Sequence, residues 1–397
     1  MRRAIGMIIV GAATLAAAAS DGPGTHFVPP AGTANRTENS QARQNVVASR
    51  TVAFLGGSIT EMDGFRPRVM AALRAKNPDV DFTEIAAGLS STCSDVAAFR
   101  LSEDVLAKGV PDLLIVDAAV NDDQDGHFTR ERCIRGMEGV LRQARRANPA
   151  MKIVVALFVN HGQFNALRKG STPLPYAAHR EVAARYGAAV ADVGTALAAA
   201  AQAGTFTWEM YRDCHPSPAG CDFAARVVMD AIASTFDPRA TPSAQPMPAA
   251  LDAWSYWRST VVPFERISRD ADWNVSKPDW NAVPGSKRGY FTAGPALWSE
   301  VPGAKCELSF TGTALAAVLT AGPDAGAIEV SVDGGEWKRQ PLYMHYSAGL
   351  HYPYARMLAD DLPNAPHRVR LRVASDTRSD KSFSAVRIHR LVVNGSL

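Results

Sequence analysis

Short apolar runs alternate with longer amphipathic segments between about residue 50 and residue 236. The apolar runs, which predict strands, are TVAFLG, VDFTEIA, DLLIVDAAV, KIVVALFV and AAVADV. The segments between them, such as FRPRVMAALRAKN and YAAHREVAARYG, have the spacing of helices. Strands that alternate with helices predict right-handed βαβ units, and strands that are apolar throughout indicate burial on both faces. We therefore expect an α/β domain with helices on both faces of a parallel sheet.

The pattern changes after residue 252, where helical periodicity ends. Short alternating runs follow, namely KCELSFTG, ALAAVLTAG, IEVSVDGG, HRVRLRVAS and VRIHRLVVN. Alternation of this kind is typical of strands, and the two glycines of VDGGEW indicate a hairpin turn. The sequence therefore predicts an all-β sandwich over residues 253–397. Residues 237–252, which contain four prolines, are the predicted linker.

The first twenty residues, MRRAIGMIIVGAATLAAAAS, place two arginines before one apolar run that ends in small residues. This order predicts a secretory signal peptide over residues 1–20, because a membrane span needs about 20 apolar residues. An uncleaved N-terminal anchor is the alternative. Residues 21–49 are rich in Gly, Pro, Thr, Asn and Gln, which predicts a disordered lead-in. The expected location is therefore secreted or periplasmic.

Charge and cysteine content narrow the classes of partner. Loss of Arg2 and Arg3 with the signal peptide lowers the formal charge from +3 to +1, so neither nucleic acid nor an anionic membrane is expected as a partner. Export permits disulfides, and Cys214 and Cys221 are close enough for a local bridge; the alternative is buried free thiols. No CxxC pair or His/Cys ligand spacing occurs, so no metal site and no cofactor are expected. The five cysteines are Cys93, Cys133, Cys214, Cys221 and Cys306.

Polar or small residues follow each predicted strand of the first domain. Ligands of an open parallel sheet bind at the carboxyl ends of its strands, so these residues are expected to converge on one site. In chain order they are Gly56-Gly57-Ser58, the run AAGLSSTCSD, Asn121-Asp122 and Asn160-His161-Gly162, followed by Asp213 and His215 before the last helix.

Ser58 is the candidate nucleophile. The two glycines before it let the chain turn sharply, which would expose its hydroxyl at the sheet edge; a helix cap is the alternative. A serine needs a base to remove its proton, and His215 is the candidate, with Asp213 to orient its ring. Asn121 and backbone N–H groups would hold the oxyanion, although Asn121-Asp122 is also typical of a cap or turn.

These residues resemble the SGNH, or GDSL-type, hydrolase superfamily over about residues 50–236. The family's Gly-Asp-Ser block matches Gly56-Gly57-Ser58, with Gly in place of Asp. Its Gly-x-Asn-Asp block matches residues 119–122, Ala-Val-Asn-Asp, with Ala in place of Gly. The resemblance implies a three-layer α/β/α flavodoxin-like fold, with Ser58 as nucleophile and Asn121 as oxyanion donor. It also assigns a backbone oxyanion amide to Gly88 or, as the spacing after the strand favours, to Ser91.

The family's last block, Asp-x-x-His followed by Pro, fits less closely. His215-Pro216 matches, but Arg212 stands three residues before the histidine and Asp213 only two. Two arrangements remain open. Either Asp213 still reaches the imidazole and completes a triad, or the site is a Ser–His dyad. Asn160 and His161 are expected to contact the substrate, with His161 as the fallback base.

Aromatic side chains crowd one stretch of the predicted sandwich. Flat aromatic rings stack on sugars, so a carbohydrate-binding domain is expected; alternatively these rings face the sandwich core, or the stretch reaches back to wall the catalytic cleft. The residues are Tyr343, His345, Tyr346, His351, Tyr352 and Tyr354.

Together these features predict a secreted serine esterase that removes short acyl groups, acetyl above all, from an acylated carbohydrate. One alternative is a lipase, thioesterase or arylesterase of the same superfamily. The other is a non-catalytic glycan-binding protein, which the altered motif blocks leave open. The sequence indicates no oligomeric state.

Overall fold

The computed structural model describes residues 47–378 and 381–397. The predicted signal peptide and almost all of the predicted lead-in lie outside these residues. Within them, no helix combines the length and the apolar character that crossing a membrane requires. The described residues belong to one compact unit.

The first domain is built on a five-stranded parallel sheet with the order β2-β1-β3-β4-β5. Its strand order changes direction beside β1, as in doubly wound flavodoxin-like folds. This confirms the predicted α/β class and the parallel sheet. The strands are β1 (Ala48–Gly56), β2 (Val80–Gly88), β3 (Leu113–Asp117), β4 (Lys152–Ala156) and β5 (Ala189–Ala191).

Helices connect these strands. They are α1 (Ser58–Glu61), α2 (Phe65–Lys76), α3 (Ser94–Asp104), α4 (Ala119–Gln124), α5 (Arg130–Ala147), α6 (His161–Arg168), α7 (Leu174–Tyr186), α8 (Val193–Gln202), α9 (Trp208–Tyr211) and α10 (Pro218–Thr235).

Both faces of the parallel sheet are covered by these helices. Ala53 and Leu55 of β1 belong to an apolar cluster with α3, α5 and α7. Their neighbours Val52 and Phe54 point the other way, into a cluster with α2, α8 and α10. Because successive strand residues alternate between faces, burial on both sides requires the unbroken apolar runs seen in the sequence.

The second domain is antiparallel, as the alternating pattern predicts. Among the described residues, its main sheet has ten strands, and the longest of them, β10 (Lys305–Ala321), has 17 residues. The first half of β10 pairs with β14 (Ala365–Ala374), and its second half pairs with β13 (Tyr352–Ala359) and β17 (Val386–Ser396). A separate apolar core fills the resulting β-sandwich.

The elements of this domain follow in chain order. They are β6 (Ser259–Val262), β7 (Ser268–Arg269), β8 (Asn274–Ser276), α11 (Gly289–Thr292), β9 (Ala296–Ser299), β10 (Lys305–Ala321), β11 (Ala327–Val332), β12 (Lys338–Pro341), β13 (Tyr352–Ala359), β14 (Ala365–Ala374), β15 (Asp376–Arg378), β16 (Lys381–Phe383) and β17 (Val386–Ser396). Short 3₁₀ turns occur at Leu106–Lys108, Phe264–Arg266 and His345–Ala348.

Residues 237–252, the predicted linker, contain no helix or strand. They lie against the first domain. Arg50 Nε donates to the carbonyl oxygen of Pro238 at 2.9 Å, and the carboxylate of Glu138 accepts the N–H groups of Leu251 and Asp252 at 2.6 and 3.0 Å. Hydrogen bonds therefore hold this segment along the α/β domain.

Candidate active site

Ser58 is the first residue of α1 and follows β1 after a single intervening residue. The turn between them depends on glycine at two positions. A side chain at Gly56 would overlap with the carboxylate of Asp117, and one at Gly57 would overlap with Oδ1 of Asn121. The close approach of these side chains explains why a glycine pair precedes the serine.

His215 lies beside Ser58, in the loop between α9 and α10. Ser58 Oγ is 2.7 Å from His215 Nε2, and the imidazole is 45% exposed. Arg212, which has a positive φ of 94°, donates through its guanidinium to the carbonyl oxygen of His215 at 2.6 and 3.1 Å. Ser217 caps α10 directly after this loop. When Nδ1 carries the ring proton, Nε2 is placed to accept the proton of the serine hydroxyl.

The remaining ring nitrogen of His215 has two neighbours. Cys214 Sγ lies 3.6 Å from Nδ1, and Asp213 Oδ1 lies 3.9 Å from it. The same Asp213 oxygen instead accepts the backbone N–H of His215 at 2.6 Å. Asp213 is therefore beyond hydrogen-bond distance of the ring, and the geometry favours the Ser–His dyad over a triad that Asp213 completes. The sequence analysis did not predict the contact between Cys214 and the imidazole. The only sequence signal for it is that Cys214 directly precedes His215.

Cys214 and Cys221 are not joined by a disulfide. All five cysteines are free thiols, and four of them are buried. The possible bridge between Cys214 and Cys221 is therefore absent. Every cysteine except Cys214 is instead a small buried side chain, which was the alternative. Burial raises the pKa of the Cys214 thiol, and the negative charge of Asp213 raises it further. A neutral thiol therefore faces His215 at neutral pH.

Asn121 occupies the space beside the Ser58 turn. It lies in α4, is 3% exposed, and its Oδ1 fills the position that a side chain at residue 57 would need. One of its two Nδ2 hydrogens is donated to Asp125 Oδ2 at 2.7 Å. The other hydrogen is free of any acceptor among the described residues, so Asn121 can donate to an oxyanion formed at Ser58.

The two candidates for the backbone oxyanion amide lie in different surroundings. Gly88 ends β2 and packs so closely on α1 that a side chain there would overlap with the backbone of Glu61. Ser91 lies in the following loop with a positive φ of 56°, and its N–H donates to no acceptor in the described part of the chain. Tight packing against α1 thus explains the glycine at position 88. The backbone N–H of Ser91 is the one of the two candidates described as free to donate to an oxyanion. The assignment of the amide to Ser91 stays a prediction.

Asn160 and His161 have structural partners. Asn160 caps α6: its Oδ1 accepts the N–H of Gln163 at 2.9 Å, and its Nδ2 donates to Asp123 at 2.7 Å. The ring of His161 lies 5.0 Å from that of Trp208. Asn160 therefore caps a helix, and its predicted contact with the substrate stays a prediction, as does that of His161. The imidazole at Ser58 is that of His215, not that of the fallback base His161.

Asp122, the next residue of α4, helps to fix the position of Asn121. It is fully buried and accepts hydrogen bonds from the N–H and the hydroxyl of Ser94, both at 2.7 Å, and from His179 Nε2 at 2.9 Å. These contacts tie α4 to the start of α3 and to α7. The sequence contains no local signal for this network, because its members are 28 and 57 residues apart.

Asp117 supports the Ser58 turn in the same way. Its buried carboxylate accepts hydrogen bonds from the hydroxyl of Thr60 and from the N–H of Gly57. These two residues lie on either side of Ser58 and Ile59 in the chain. Burial raises the pKa of Asp117 to about 6, although both hydrogen bonds lower it. The nucleophile turn is therefore held by a carboxyl group that titrates near pH 6.

The second domain completes one wall of the site. Arg288 pairs with Glu61 of α1, and the hydroxyl of Tyr352 donates to Ser91 Oγ. The ring of Tyr346 lies at a tilt against that of Tyr352, with 4.9 Å between ring centroids, and Tyr346 is 44% exposed. Of the aromatic stretch, His351, Tyr352 and Tyr354 are buried. Part of the stretch therefore faces the sandwich core, and part of it reaches the first domain beside the site.

A cleft of about 410 Å³ lies between the two domains at this wall. Ser91 and Asp125 line it from the first domain, and Tyr343, Tyr354 and Arg356 line it from the second. Asp125 also accepts the hydrogen bond of Asn121, and Ser91 is the candidate oxyanion amide, so the cleft lies next to the candidate site.

Comparisons with known proteins agree with this geometry. Residues 54–223 match the family model described as GDSL-like Lipase/Acylhydrolase family. No curated protein matches the sequence. Two crystal structures of a two-domain esterase (CEX) active on acetylated mannans, one co-crystallized with mannopentaose, cover 91% of this chain and 94% and 95% of their own. Their sequence identities are 20% and 21%, and their TM-scores are 0.70 and 0.68.

An acetylxylan esterase from Geobacillus stearothermophilus covers 47% of this chain and 96% of its own, with 19% identity and a TM-score of 0.37. At these identities, the two-domain structures show that the chain has their fold along nearly its whole length. Residues 54–223 thus match the GDSL-like lipase/acylhydrolase family, and this match indicates an ester-hydrolysing enzyme.

Proposed function

We propose that the protein is a secreted serine esterase that removes O-acetyl groups, or other short acyl groups, from carbohydrate. The observation that carries this proposal is the 2.7 Å contact between Ser58 Oγ and His215 Nε2, and Ser91, the candidate oxyanion amide, lines a neighbouring cleft between the two domains. The activity of the similar two-domain esterase on acetylated mannans supports the choice of a carbohydrate ester.

The first half of the reaction acylates Ser58. Its Oγ attacks the acetyl carbonyl carbon while His215 Nε2 takes the hydroxyl proton. The carbonyl oxygen becomes an oxyanion, which accepts the free N–H of Asn121 and the backbone N–H groups of Ser58 and Ser91. When the intermediate collapses, His215 returns the proton to the departing sugar oxygen, and the acetyl group remains on Ser58.

The second half of the reaction restores the enzyme. Water attacks the acetyl-serine carbonyl, and His215 Nε2 removes a proton from that water. The same N–H donors hold the second oxyanion. Collapse of this intermediate releases acetate and returns the proton from His215 to Ser58 Oγ.

The walls of the cleft support a substrate that carries polar groups. Charged and amide side chains line it, among them Asp125, Arg132, Gln340 and Arg356. The hydroxyl groups of a sugar find hydrogen-bond partners there.

The length of the groove supports an oligomeric sugar as substrate. A neighbouring cleft of about 420 Å³ shares Arg132, Gln340 and Met357 with the first one. Together they form a groove along the domain boundary. The exposed ring of Tyr346 provides an aromatic face near its catalytic end.

Export is the part of the proposal that the N-terminal sequence supports, through the arginine pair and the apolar run of residues 1–20. Expression of the full chain in a bacterial host, followed by mass spectrometry of the periplasmic fraction, tests it. A mature protein that begins near residue 21 is expected. A full-length protein retained in the membrane fraction would show the uncleaved anchor instead.

Acetate release from acetylated glucomannan and acetylated xylan tests the catalytic part. The wild-type enzyme is expected to release acetate, and Ser58→Ala to lower the rate by at least about 10³-fold with an unchanged circular dichroism spectrum. Ser243→Ala, at an exposed position of the segment 237–252, is a matched serine control that should retain activity. Wild-type hydrolysis no faster than that of Ser58→Ala would favour the glycan-binding protein.

The acyl length separates the esterase from the lipase. On p-nitrophenyl esters, kcat/KM is expected to be highest for acetate and to fall with each longer acyl chain. A value that increases up to octanoate or decanoate would contradict the proposal and favour a lipase.

A further inference from the structure

A separate cleft of about 610 Å³ lies between the two domains at the opposite edge of the parallel sheet. Ser102 near the end of α3 and Arg146 near the end of α5 form one wall, and Arg258, Thr260 and Ser396 belong to the other. Helices that follow parallel strands return to the amino edge of the sheet, which places this amino-edge cleft away from Ser58. The five-residue strand β3 alone spans about 16 Å between the two edges.

Positive charge collects around one aromatic ring in this cleft. The guanidinium groups of Arg146, Arg142 and Arg258 lie 5.0, 5.1 and 5.9 Å from the ring centroid of Trp257. Arg142 donates to Tyr186 and to a carbonyl oxygen, and Arg258 donates to an amide oxygen. Among the described residues, none of these three arginines pairs with a carboxylate. The formal charge of the whole chain is only +3, so this unpaired cluster is a local feature.

Helix stability alone does not explain the cluster. A cation near the last turn of α5 compensates the negative end of the helix dipole, and this accounts for Arg146. Arg258 lies outside any helix, on the facing wall of the cleft. Two walls therefore each present a guanidinium group without a carboxylate partner to the same cavity.

Neutral donors complete the lining. The buried hydroxyl of Ser259 has no hydrogen-bond partner in the described part of the chain, and it lines the cleft with Thr311 and Asn364. Guanidinium groups bind planar carboxylates through two parallel hydrogen bonds, and hydroxyl and amide groups match the hydroxyls of a sugar ring. A volume of about 610 Å³ is within the usual range for small-ligand sites.

We propose that the amino-edge cleft binds a carboxylated sugar residue of an acidic polysaccharide. The identity of the ligand as a sugar rests on the proposed function of Ser58. Arg146 and Arg258 hold the carboxylate from opposite walls, and the hydroxyl and amide donors contact the ring. Because the cleft is at the far edge of the sheet, its occupation holds a polymer on the enzyme without entering the chemical step.

Binding of a galacturonate hexamer to the full chain, measured by isothermal titration calorimetry at low salt, tests this site. A mannose hexamer of equal length is the neutral probe. The wild-type protein is expected to bind the acidic hexamer at least tenfold more tightly than the neutral one. Arg146→Gln/Arg258→Gln should weaken acidic binding at least tenfold, and 0.5 M NaCl should weaken wild-type binding similarly.

Arg226→Gln is the matched control, because Arg226 is an exposed arginine that lies over a single aromatic ring of α10. It should bind the acidic hexamer within twofold of wild type. All three proteins should hydrolyse p-nitrophenyl acetate with the same kcat/KM. The single variant Arg146→Gln is a second test in case the double variant misfolds, because Arg146 is exposed. Its affinity for the acidic hexamer should lie between those of the wild type and the double variant.

Equal wild-type affinity for the two hexamers would overturn the proposal, as would unchanged acidic binding in Arg146→Gln/Arg258→Gln. Arginine-dependent binding to phosphatidylglycerol vesicles with none to the hexamer would also overturn it and indicate a lipid surface. Loss of Ser58-dependent deacetylation with intact hexamer binding would contradict the proposed function but leave the carboxylate site standing.

Discussion

His215 presents Nε2 to Ser58 and leaves Nδ1 facing Cys214 and Asp213, at 3.6 and 3.9 Å. A proton on Nδ1 is needed for Nε2 to act as a base, and in this position that proton has only a weak sulfur acceptor within hydrogen-bond distance. The guanidinium group of Arg212 donates to the backbone carbonyl oxygen of His215, and this hydrogen bond holds the loop in place. The ring is thus positioned mainly by the loop rather than by a carboxylate.

Asp213→Asn is therefore expected to lower kcat/KM for p-nitrophenyl acetate by less than about tenfold. In a triad, the corresponding change lowers kcat by about 10⁴-fold, because the carboxylate bonds the ring directly. Steady-state kinetics at pH 8 measures the difference, with Asp222→Asn on α10 as a control that should be neutral. A loss of 10³-fold or more would show that Asp213 reaches the imidazole in solution.

The carboxyl group of Asp117 predicts a pH dependence of stability. Burial raises the pKa of Asp117 to about 6, so the folded state binds a proton that the unfolded state has already released between about pH 4 and pH 6. The free energy of unfolding therefore falls as pH rises through this window. Since one pKa unit corresponds to about 1.4 kcal/mol, the decrease from this group is on the order of 3 kcal/mol.

Urea unfolding at pH 4, 5, 6 and 7 checks this effect, with Asp117→Asn as the comparison that does not titrate. The unfolding free energy of the wild type, measured relative to that of the variant, should decrease by about 2–2.5 kcal/mol from pH 4 to pH 7. Parallel pH profiles for the two proteins would contradict the raised pKa.

At the scale of elements, the junction of β1, α1 and α4 sets the geometry of the site. Gly57 gives up its side-chain space to Asn121, so the two positions are coupled. The resemblance expected an aspartate at position 57. In this fold the amide of Asn121 takes that space, which gives a physical reason for the glycine.

Gly57→Ala is expected to displace Asn121 and to lower kcat by about 10²- to 10³-fold, as removal of one oxyanion donor does. Asn121→Ala should cause a similar loss. Because both changes remove the same donor, the double variant should lose little more than either single one. Gly289→Ala is the matched control, since no atom lies near an added side chain there. Additive losses in the double variant would contradict the coupling.

The predicted elements and the observed ones differ where apolar runs continue past a strand. In DLLIVDAAV, β3 ends at Asp117, and the last residues enter α4. In KIVVALFV, β4 ends at Ala156, although Leu157, Phe158 and Val159 are fully or almost fully buried. Burial by surrounding helices keeps these connections apolar, so hydrophobicity alone overestimates strand length.

At the scale of the molecule, a buried charge network joins the two domains. Asp104 at the end of α3 accepts hydrogen bonds from Arg100 at 2.6 Å, Arg390 of β17 at 2.8 Å and Tyr290 of α11 at 3.0 Å. Burial raises the pKa of Asp104, but the two arginines more than offset this and hold it below its ordinary value. An uncompensated charge would remain if the domains separated, so we expect them to unfold together.

Arg390→Ala is expected to lower the free energy of unfolding at pH 7 by about 2–3 kcal/mol, because it removes one partner of a buried carboxylate. The lowered pKa of Asp104 means that this stabilisation is present at neutral pH and is lost as pH falls below about 4. Urea unfolding followed by tryptophan fluorescence and by circular dichroism measures both the loss and the cooperativity.

Arg368→Ala is the matched control, because Arg368 forms an exposed ion pair with Glu307. Such pairs contribute about 0–1 kcal/mol, so its loss should be small. Equal effects of the two substitutions, or separate transitions for the two probes in the wild type, would contradict a single cooperative unit.

The sequence by itself determined the parallel sheet, the antiparallel second domain and the edge at which polar residues gather. These properties depend on burial patterns that repeat every two to four residues, and on the rule that parallel strands end at one edge. The choice of Ser58, Asn121 and His215 as candidates followed from that edge and from the motif blocks.

Only the tertiary structure decided which polar atoms meet there. It placed the Asp213 carboxylate beyond hydrogen-bond distance of the imidazole and made Asn160 a helix cap. It also brought Tyr352 of the second domain into contact with Ser91. Such contacts join residues as many as 261 positions apart, and they depend on how whole elements pack. Local sequence patterns define each element but leave the distances between atoms of different elements open.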